Sequence, residues 1–547
     1  MDNRSKGYIL AKYDISGIQR YIFATNRLKE NVGASCQVTK ILEEYLPDSI
    51  KEASAPQDTY VISWEKQDKL SLPHDKTINT EIIYIGGGNA MVLFRDKEVF
   101  QTVSQNLARK VAQYCQGIYL AAAYTDTQLV NFAEDVKKLN KNMADKKAGM
   151  IRQPIYSPFP AVEQDNSNHQ PITRCCRHRD EANSYEKKGD KEKHQIENMT
   201  EMQYQKLTAY GEAREKRTGK LYPNIGEKVN YDYPVDMDLL CREPGGNSYT
   251  AVVHIDGNGM GAQIQKVLRE HAEYETAVLG LRKMSKEISA VFENTYKEML
   301  KVVYSYSKHP CSGDEDRIIL PLRPIVLDGD DFTFLCTADL AIPLAVGFMK
   351  KLIKGQEGQS EKISACAGIA FVHSHFPFYE AYCIAEDSCS DAKKKWYEES
   401  REKGSCESCF LDFRILKGSE VGGTVRHREL QMRPYYVDEK ERGHGTDSLT
   451  ALCETVKKMK EWPSNRLHRI SRAMLEGDIE MKSLEREFIS RDYHIKDLVQ
   501  TDDWKNSPLY DALEIRGLCE MELLEDFLDM QENKGDGKMD SEDKVNK

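Results

Sequence analysis

The sequence predicts an α+β protein made of two copies of one unit, followed by a helical domain. Three observations carry this. Two apolar runs, YILAKYD (8–14) and YTAVVHID (249–256), each end in an aspartate that leads into a turn and then a helical pattern. Gly86 lies 72 residues after Asp14 and Asp328 lies 72 residues after Asp256, and each opens the tip of a hairpin flanked by apolar runs. After each hairpin the same order returns: helix, strand, charged helix. A matching order at matching spacing reads as an internal duplication. Strand, helix, helix, hairpin, helix, strand predicts an antiparallel sheet with helices on one face.

In the first unit, residues 1–150, the strand ending at Asp14 is followed by ISGIQRYIF and helical periodicity to about Tyr45. EIIYIGGGNAMVLF (81–94) is the hairpin, with Gly86, Gly87, Gly88 and Asn89 at its tip. A helix to about Tyr114, the strand GIYLAAAYTD and a charged helix from Thr127 to about Lys147 complete it. Residues 151–245 are polar and read as an irregular insert. The second unit, 246–425, places helices to about Ser307, the hairpin IVLDGDDFTFLC (325–336), a helix to about Lys354, the strand ISACAGIAFVHS and the helix FYEAYCIAEDSCSDAKKKW. Residues 426–531 are mainly helical, a small bundle packed on the second unit. The charged, apolar-poor residues 532–547 read as a disordered tail.

The net charge of −11 argues against a general nucleic-acid coat, while leaving room for local basic grooves. No apolar run reaches 18 residues, so no spanning helix and no membrane partner is expected. MDNRSKGYILAKYD lacks the long apolar stretch of a signal peptide. The fourteen cysteines, many in apolar runs such as Cys336, Cys366 and Cys383, then read as reduced small hydrophobes of a cytoplasmic protein. Cys175, Cys176, His178 and His194 lack the paired CxxC spacing of a zinc site, and Cys406 with Cys409 is a single pair. A solvated linker with incidental cysteines is preferred, and zinc is not expected.

The chemistry is expected at the second hairpin. Asp328, Asp330 and Asp331 crowd three carboxylates into one tip, and a divalent cation is the simplest reason to tolerate them. Asp256, at the end of a neighbouring strand, completes the set for two-metal nucleotidyl transfer. Asp256 and Asp331 are assigned as catalytic ligands bridging two Mg²⁺ or Mn²⁺ ions, with Asp330 supporting one of them. Taken singly, Asp256 is more often a turn or cap residue and Asp328-Gly329 an ordinary hairpin turn; matched positions in a duplicated unit favour the metal reading. Gly257, Asn258, Gly259 and Gly261 are candidates to cradle a triphosphate, a role compatible with a tight strand-to-helix turn. Asp328 and Gly329 adjoin the same nucleotide site. Lys393 is a candidate to neutralise phosphate, against an exposed helix face. Ser364 is a candidate contact to the acceptor nucleotide, against a structural strand serine. The first hairpin replaces the carboxylates with Gly88 and Asn89, so it is expected to bind nucleotide or to support the other copy. Asp14, Ser16 and Gly17 with Gly86, Gly87 and Gly88 are its candidate nucleotide contacts.

DISGIQRYIF (14–23) and GGGN (86–89) closely resemble the first palm domain of the large polymerase/cyclase subunit of type III CRISPR effector complexes. IDGNGMG (255–261) and DGDD (328–331) resemble that family's metal strand and GGDD hairpin, and SACAGIAFVHSHFP with AEDSCSDAKKK resembles the segment after the hairpin there and in GGDEF-type diguanylate cyclases. The resemblance covers about two thirds of the chain. It implies two ferredoxin-like palm domains face to face, and conversion of ATP into 3′–5′ cyclic oligoadenylates, antiviral second messengers, with release of pyrophosphate. It also implies as partners the smaller subunits of the CRISPR RNA complex and target RNA. Family members often begin with an HD nuclease domain, whereas seven residues precede the first strand here. The zinc motif between the palms is eroded, and Asp328 stands where the family has Gly. A stand-alone cyclase, a catalytically weak scaffold subunit and a synthase of a different cyclic oligonucleotide are the alternatives.

Overall fold

The computed structural model describes residues 7–151, 161–166, 170–179, 194–216, 220–226, 229–240, 249–271, 273–307, 318–356, 362–403, 407–416, 428–437, 445–499, 501 and 503–529. The first unit runs β1 (Tyr8–Ser16), α1 (Ile18–Ile22), α2 (Leu28–Lys40), a π-helical turn at Ile41–Tyr45, α3 (Leu46–Ala53), β2 (Thr59–Val61), β3 (Ile78–Gly86), β4 (Asn89–Phe94), α4 (Lys97–Tyr114), β5 (Tyr119–Thr127) and α5 (Phe132–Ala148). The insert holds β6 (Arg174–Arg179), β7 (His194–Met199), α6 (Glu201–Lys216) and β8 (Tyr231–Asp232). The second unit runs β9 (Tyr249–Gly257), α7 (Met260–Glu270), α8 (Tyr274–Tyr306), β10 (Ile318–Ile319), β11 (Leu322–Asp328), β12 (Asp331–Thr337), α9 (Ala341–Lys354), β13 (Ala365–His373), α10 (Phe378–Lys403), β14 (Phe410–Ile415) and β15 (Tyr435–Tyr436). Helices α11 (Leu449–Met459), α12 (Ser464–Glu476), α13 (Asp478–Ile489), α14 (Lys496–Val499), α15 (Leu509–Ile515) and α16 (Met521–Asp529) follow.

The two sheets repeat one topology. The first is ordered β2-β3-β4-β1-β5 and the second β11-β12-β9-β13-β14-β15. In each, the strand ending in the key aspartate lies in the middle, antiparallel to the hairpin on one side and to the later strand on the other. The register matches as well: Asp14 faces Asn89, and Asp256 faces Asp331.

Helices cover both faces of each sheet, not one. The central strands are apolar on both sides and need two partners. Ile9, Ala11 and Tyr13 of β1 pack with Phe100, Val103 and Leu107 of α4, whereas Leu10 packs with Phe132, Val136 and Leu139 of α5. Likewise Ala251, Val253 and Ile255 of β9 share a core with Leu344, Phe348 and Leu352 of α9, while Val252 faces the Tyr382 and Ala385 side of α10. Local signals set the ends: Asp96 caps α4 by accepting the Glu98 and Val99 amides, both at 3.0 Å, and Asn131 caps α5 through the Glu134 amide at 3.1 Å.

The units interlock reciprocally. Helix α8 of the second packs against β3 of the first, and α2 of the first packs against β11 of the second. Arg282 of α8 is buried against Glu81 of β3 at 2.9 Å and also donates to the carbonyls of Ile82, Ile83 and Lys69. Phe23 stacks on Tyr382 with ring centroids 4.1 Å apart.

The insert is less irregular than its polarity implies. β6 and β7 form an antiparallel ribbon, and α6 lies along α2. The side chains of Cys176, His178 and His194 lie outside the described residues, as does Cys406; Cys175 is exposed and Cys409 is buried in the second unit's core. The C-terminal helices share a continuous core with the second sheet, Phe527 of α16 lying against Gly347 of α9. The tail at 532–547 is outside the described residues. Among the described residues, no helix is long and apolar enough to cross a membrane.

Candidate active site

Alternation along β9 and β12 places Asp256, His254, Asp331 and Thr333 on one sheet face, because residues directly opposite across a pair share a face. The hairpin turn between Asp328 and Asp331 has Gly329 at φ +60°, as a type II′ turn requires at its first central position. The first hairpin differs. Both Gly87 (φ +58°) and Gly88 (φ +71°) are left-handed, the signature of a type I′ turn. Asp330, which stands where Gly88 does, is not left-handed, and a residue with a Cβ enters that conformation less readily than glycine. Gly257 lets the end of β9 approach the tip: its N–H donates to the Asp330 carbonyl at 3.0 Å, and a Cβ there would stand 2.8 Å from the Asp330 Cβ.

The carboxylates are held individually. Lys393 of α10 donates to Asp256 Oδ2 at 2.6 Å and to the Gly257 carbonyl at 2.9 Å. Thr333 donates to Asp331 Oδ1 at 3.2 Å, and His254 Nδ1 lies 2.9 Å from Thr333 Oγ1 and 3.4 Å from Asp331 Oδ1. Burial disfavours the His254 cation, but Asp331 and then Asp256 and Glu386 outweigh it and lift its pKa above the usual imidazole range. Burial, and next Asp256, push the Asp330 carboxyl up to about 7. Asp328 turns to the other unit. Its Oδ2 accepts the Gly88 N–H at 3.0 Å, and burial raises its pKa despite Lys220.

The two hairpin tips therefore touch, and beside them lies a cavity of about 340 Å³. Gly87 and Gly88 from the first tip and Asp328, Asp330 and Asp331 from the second line it, together with Ile18 and Lys220. That volume is in the range of small-molecule pockets. The other candidates are not in its wall. Asn258 is buried, its side-chain amide donating to Ser364 Oγ at 3.0 Å, so Ser364 supports the turn. Gly259 opens α7 at φ +69°, and Gly261 is exposed in its first turn. Gly86 packs against Ser285 of α8. Asp14 pairs with Lys147 at 2.5 Å, Ser16 is buried, and Gly17 opens α1 at φ +73°. The duplication thus extends to Lys147 on Asp14 and Lys393 on Asp256, each lysine supplied by the helix after the fourth matched strand.

Sequence reasoning missed His254 and Thr333. Each is two residues from a named aspartate on a strand, and the period of two was the available signal. It also missed Lys220, which had none. Among the described residues, no three His, Cys, Asp or Glu side chains are placed to hold a metal ion. Asp256 and Asp331 form a pair, with Asp330 in the turn beside them. The donor set fits a hard divalent cation. It is all oxygen, and Asp330, its pKa raised first by burial and next by Asp256, has an anionic neighbour with which a cation could be shared.

A family model described as Cas10/Cmr2, second palm domain, matches residues 249–403. That span includes Asp256, the DGDD hairpin and Lys393. Among solved structures, the chain is similar to a Csm1-Csm4 cassette in complex with pppApA, at 13% identity, TM-score 0.49, over 94% of this chain and 70% of that chain. The same figures hold for the cassette in complex with one ATP. The Csm1-Csm4 subcomplex in the type III-A CRISPR-Csm interference complex is similar at 13% identity and TM-score 0.45, with the same coverage. No curated protein matches the chain.

Proposed function

We propose that this chain, which carries a Cas10/Cmr2 second palm domain at residues 249–403, is a metal-dependent nucleotidyltransferase that converts ATP into cyclic oligoadenylates. Pyrophosphate is released, and the role is in prokaryotic antiviral defence. The observation that carries the reading is the in-register pairing of Asp256 with Asp331, the second of which lines a cavity that the other unit's glycine hairpin helps to wall. Adenine, the ring product and an RNA-guided complex as partner follow from the resemblance of DISGIQ, GGGN and DGDD.

Asp256 and Asp331 would hold two Mg²⁺ or Mn²⁺ ions, with Asp330 supporting one. When bound, the ions supply an acidified 3′-hydroxyl and charge neutralisation for departing pyrophosphate. The chain's own residues do the rest. Thr333 and His254 fix the orientation of Asp331, and Lys393 fixes Asp256 while standing ready as a cation for phosphate. The Gly87 and Gly88 backbone gives the cavity one wall without side chains to obstruct it. In each transfer, the 3′-oxygen bonds to the α-phosphorus, the bond to the β-phosphate oxygen breaks, and the hydroxyl proton goes to solvent.

The test is mass spectrometry of products after incubation with the four ribonucleotides and Mg²⁺ or Mn²⁺, first alone and then with guide RNA, target RNA and the partner subunits. A cyclic oligoadenylate is expected, and D330A/D331A should abolish it while the circular dichroism spectrum stays that of the wild type. Full product from the double variant, or none from the wild type under any condition, refutes the reading.

A further inference from the structure

The insert crosses the seam between the two units at Lys220–Tyr222, and each residue there is fixed. The Leu221 carbonyl accepts the hydroxyls of Tyr233 at 2.8 Å and Tyr296 at 3.3 Å. The Tyr222 hydroxyl accepts from the buried Arg323 guanidinium at 3.1 Å. Lys220 reaches the cavity wall, its ammonium 3.2 Å from Glu43 in the first unit, 3.5 Å from Glu293 in α8, and 3.9 Å from Asp328 Oδ1. The second Asp328 oxygen is the one that accepts the Gly88 amide.

Upstream, the insert is fastened to the first unit. Helix α6 meets α2 so closely at Gly33 that a Cβ there would stand 1.9 Å from the Lys206 carbonyl oxygen, and Lys206 Nζ donates to the Tyr21 carbonyl at 2.8 Å. Burial disfavours the Lys220 cation, but Asp328, Glu43 and Glu293 outweigh it and raise its pKa. Without that cation three carboxylates from both units would face one another beside the cavity, and their repulsion would drive Asp328 out.

We propose that Lys220 is a positioning residue: carried in by the insert, it holds Asp328 against the Gly88 amide and so keeps the two hairpin tips closed beside the cavity. The insert is then a strap between the units, and its docking sets the gap between the tips. This goes beyond the proposed nucleotidyl transfer and stands whether or not the chain makes product.

Hydrogen–deuterium exchange of the full chain, without nucleotide, tests it in wild type, K220M and K220R. In K220M the peptide spanning 84–90 should exchange roughly tenfold faster, as expected for loss of a charge-assisted hydrogen bond, while peptides from α9 stay unchanged. K220R, which keeps the cation, should restore protection. Wild-type exchange at 84–90 in folded K220M, equal acceleration in α9, or no restoration by K220R overturns the proposal. If K220M does not fold, K220Q is read in its place; failure of both to fold makes Lys220 merely structural and overturns it too.

Discussion

Replacing Arg282 by Met should be among the costliest single changes in this chain. Arg282 is 4% exposed and Glu81 is fully buried, so neither charge has water to fall back on. The guanidinium also satisfies three carbonyls from the first unit, at 2.9, 2.9 and 3.1 Å. In R282M the Glu81 carboxylate keeps one partner, the Leu72 amide at 2.6 Å, and the three carbonyls lose theirs. Breaking a buried pair from one side costs about 3–5 kcal/mol, and the orphaned carbonyls place R282M at the upper end. The matching double variant E81L/R282M removes both charges and fills the space with apolar groups, so it should recover about half of the loss. Urea unfolding of wild type, R282M, E81L and the double variant gives a double-mutant cycle, in which a coupling of about 2 kcal/mol or more is expected. A cost under about 1 kcal/mol for R282M, or additive single changes, would refute the view that this clamp binds α8 to β3.

Two further outcomes follow from contacts elsewhere in the fold. The Asp330 carboxyl, at about 7 in the fold, is raised above its unfolded value, so its contribution to stability is full below about pH 4 and is lost as pH rises to about 7. D330N cannot ionise; in EDTA its unfolding free energy from urea titration should gain on that of wild type by about 3 kcal/mol between pH 5 and pH 8, and parallel pH curves would contradict this. G33A should lift α6 from α2 at a cost of about 2–3 kcal/mol, read as faster limited proteolysis within 201–216 while the second unit keeps its resistance; unchanged cleavage would refute it.

The duplicated plan was legible because period-two apolar runs, glycine turns and carboxylate placement are local. YILAKYD and YTAVVHID announced their strands, and the equal spacing to Gly86 and Asp328 foretold the matching register of Asp14 with Asn89 and of Asp256 with Asp331. What stayed hidden depends on how the units face each other. Nothing near Asp328 signals that its carboxylate serves the Gly88 amide, 240 residues away. Lys220 looks like any lysine in a polar stretch. The insert's polarity hid α6, which is buried through Ala209, Tyr210 and Lys206 and through its close approach to Gly33 of α2. Helices on both sheet faces were foreseeable from Leu10 and Val252, apolar residues on the face assigned to solvent.

The contact between the two tips has a consequence for symmetry. A homodimer of one palm would bring two identical DGDD turns together, six carboxylates with no lysine between them, and each substitution would strike both tips at once. Joining the halves in one chain breaks that constraint. One tip has become GGGN, uncharged and able to offer an amide to Asp328. The loss of acids from the first hairpin is thus what allows the second to keep its own at such close range.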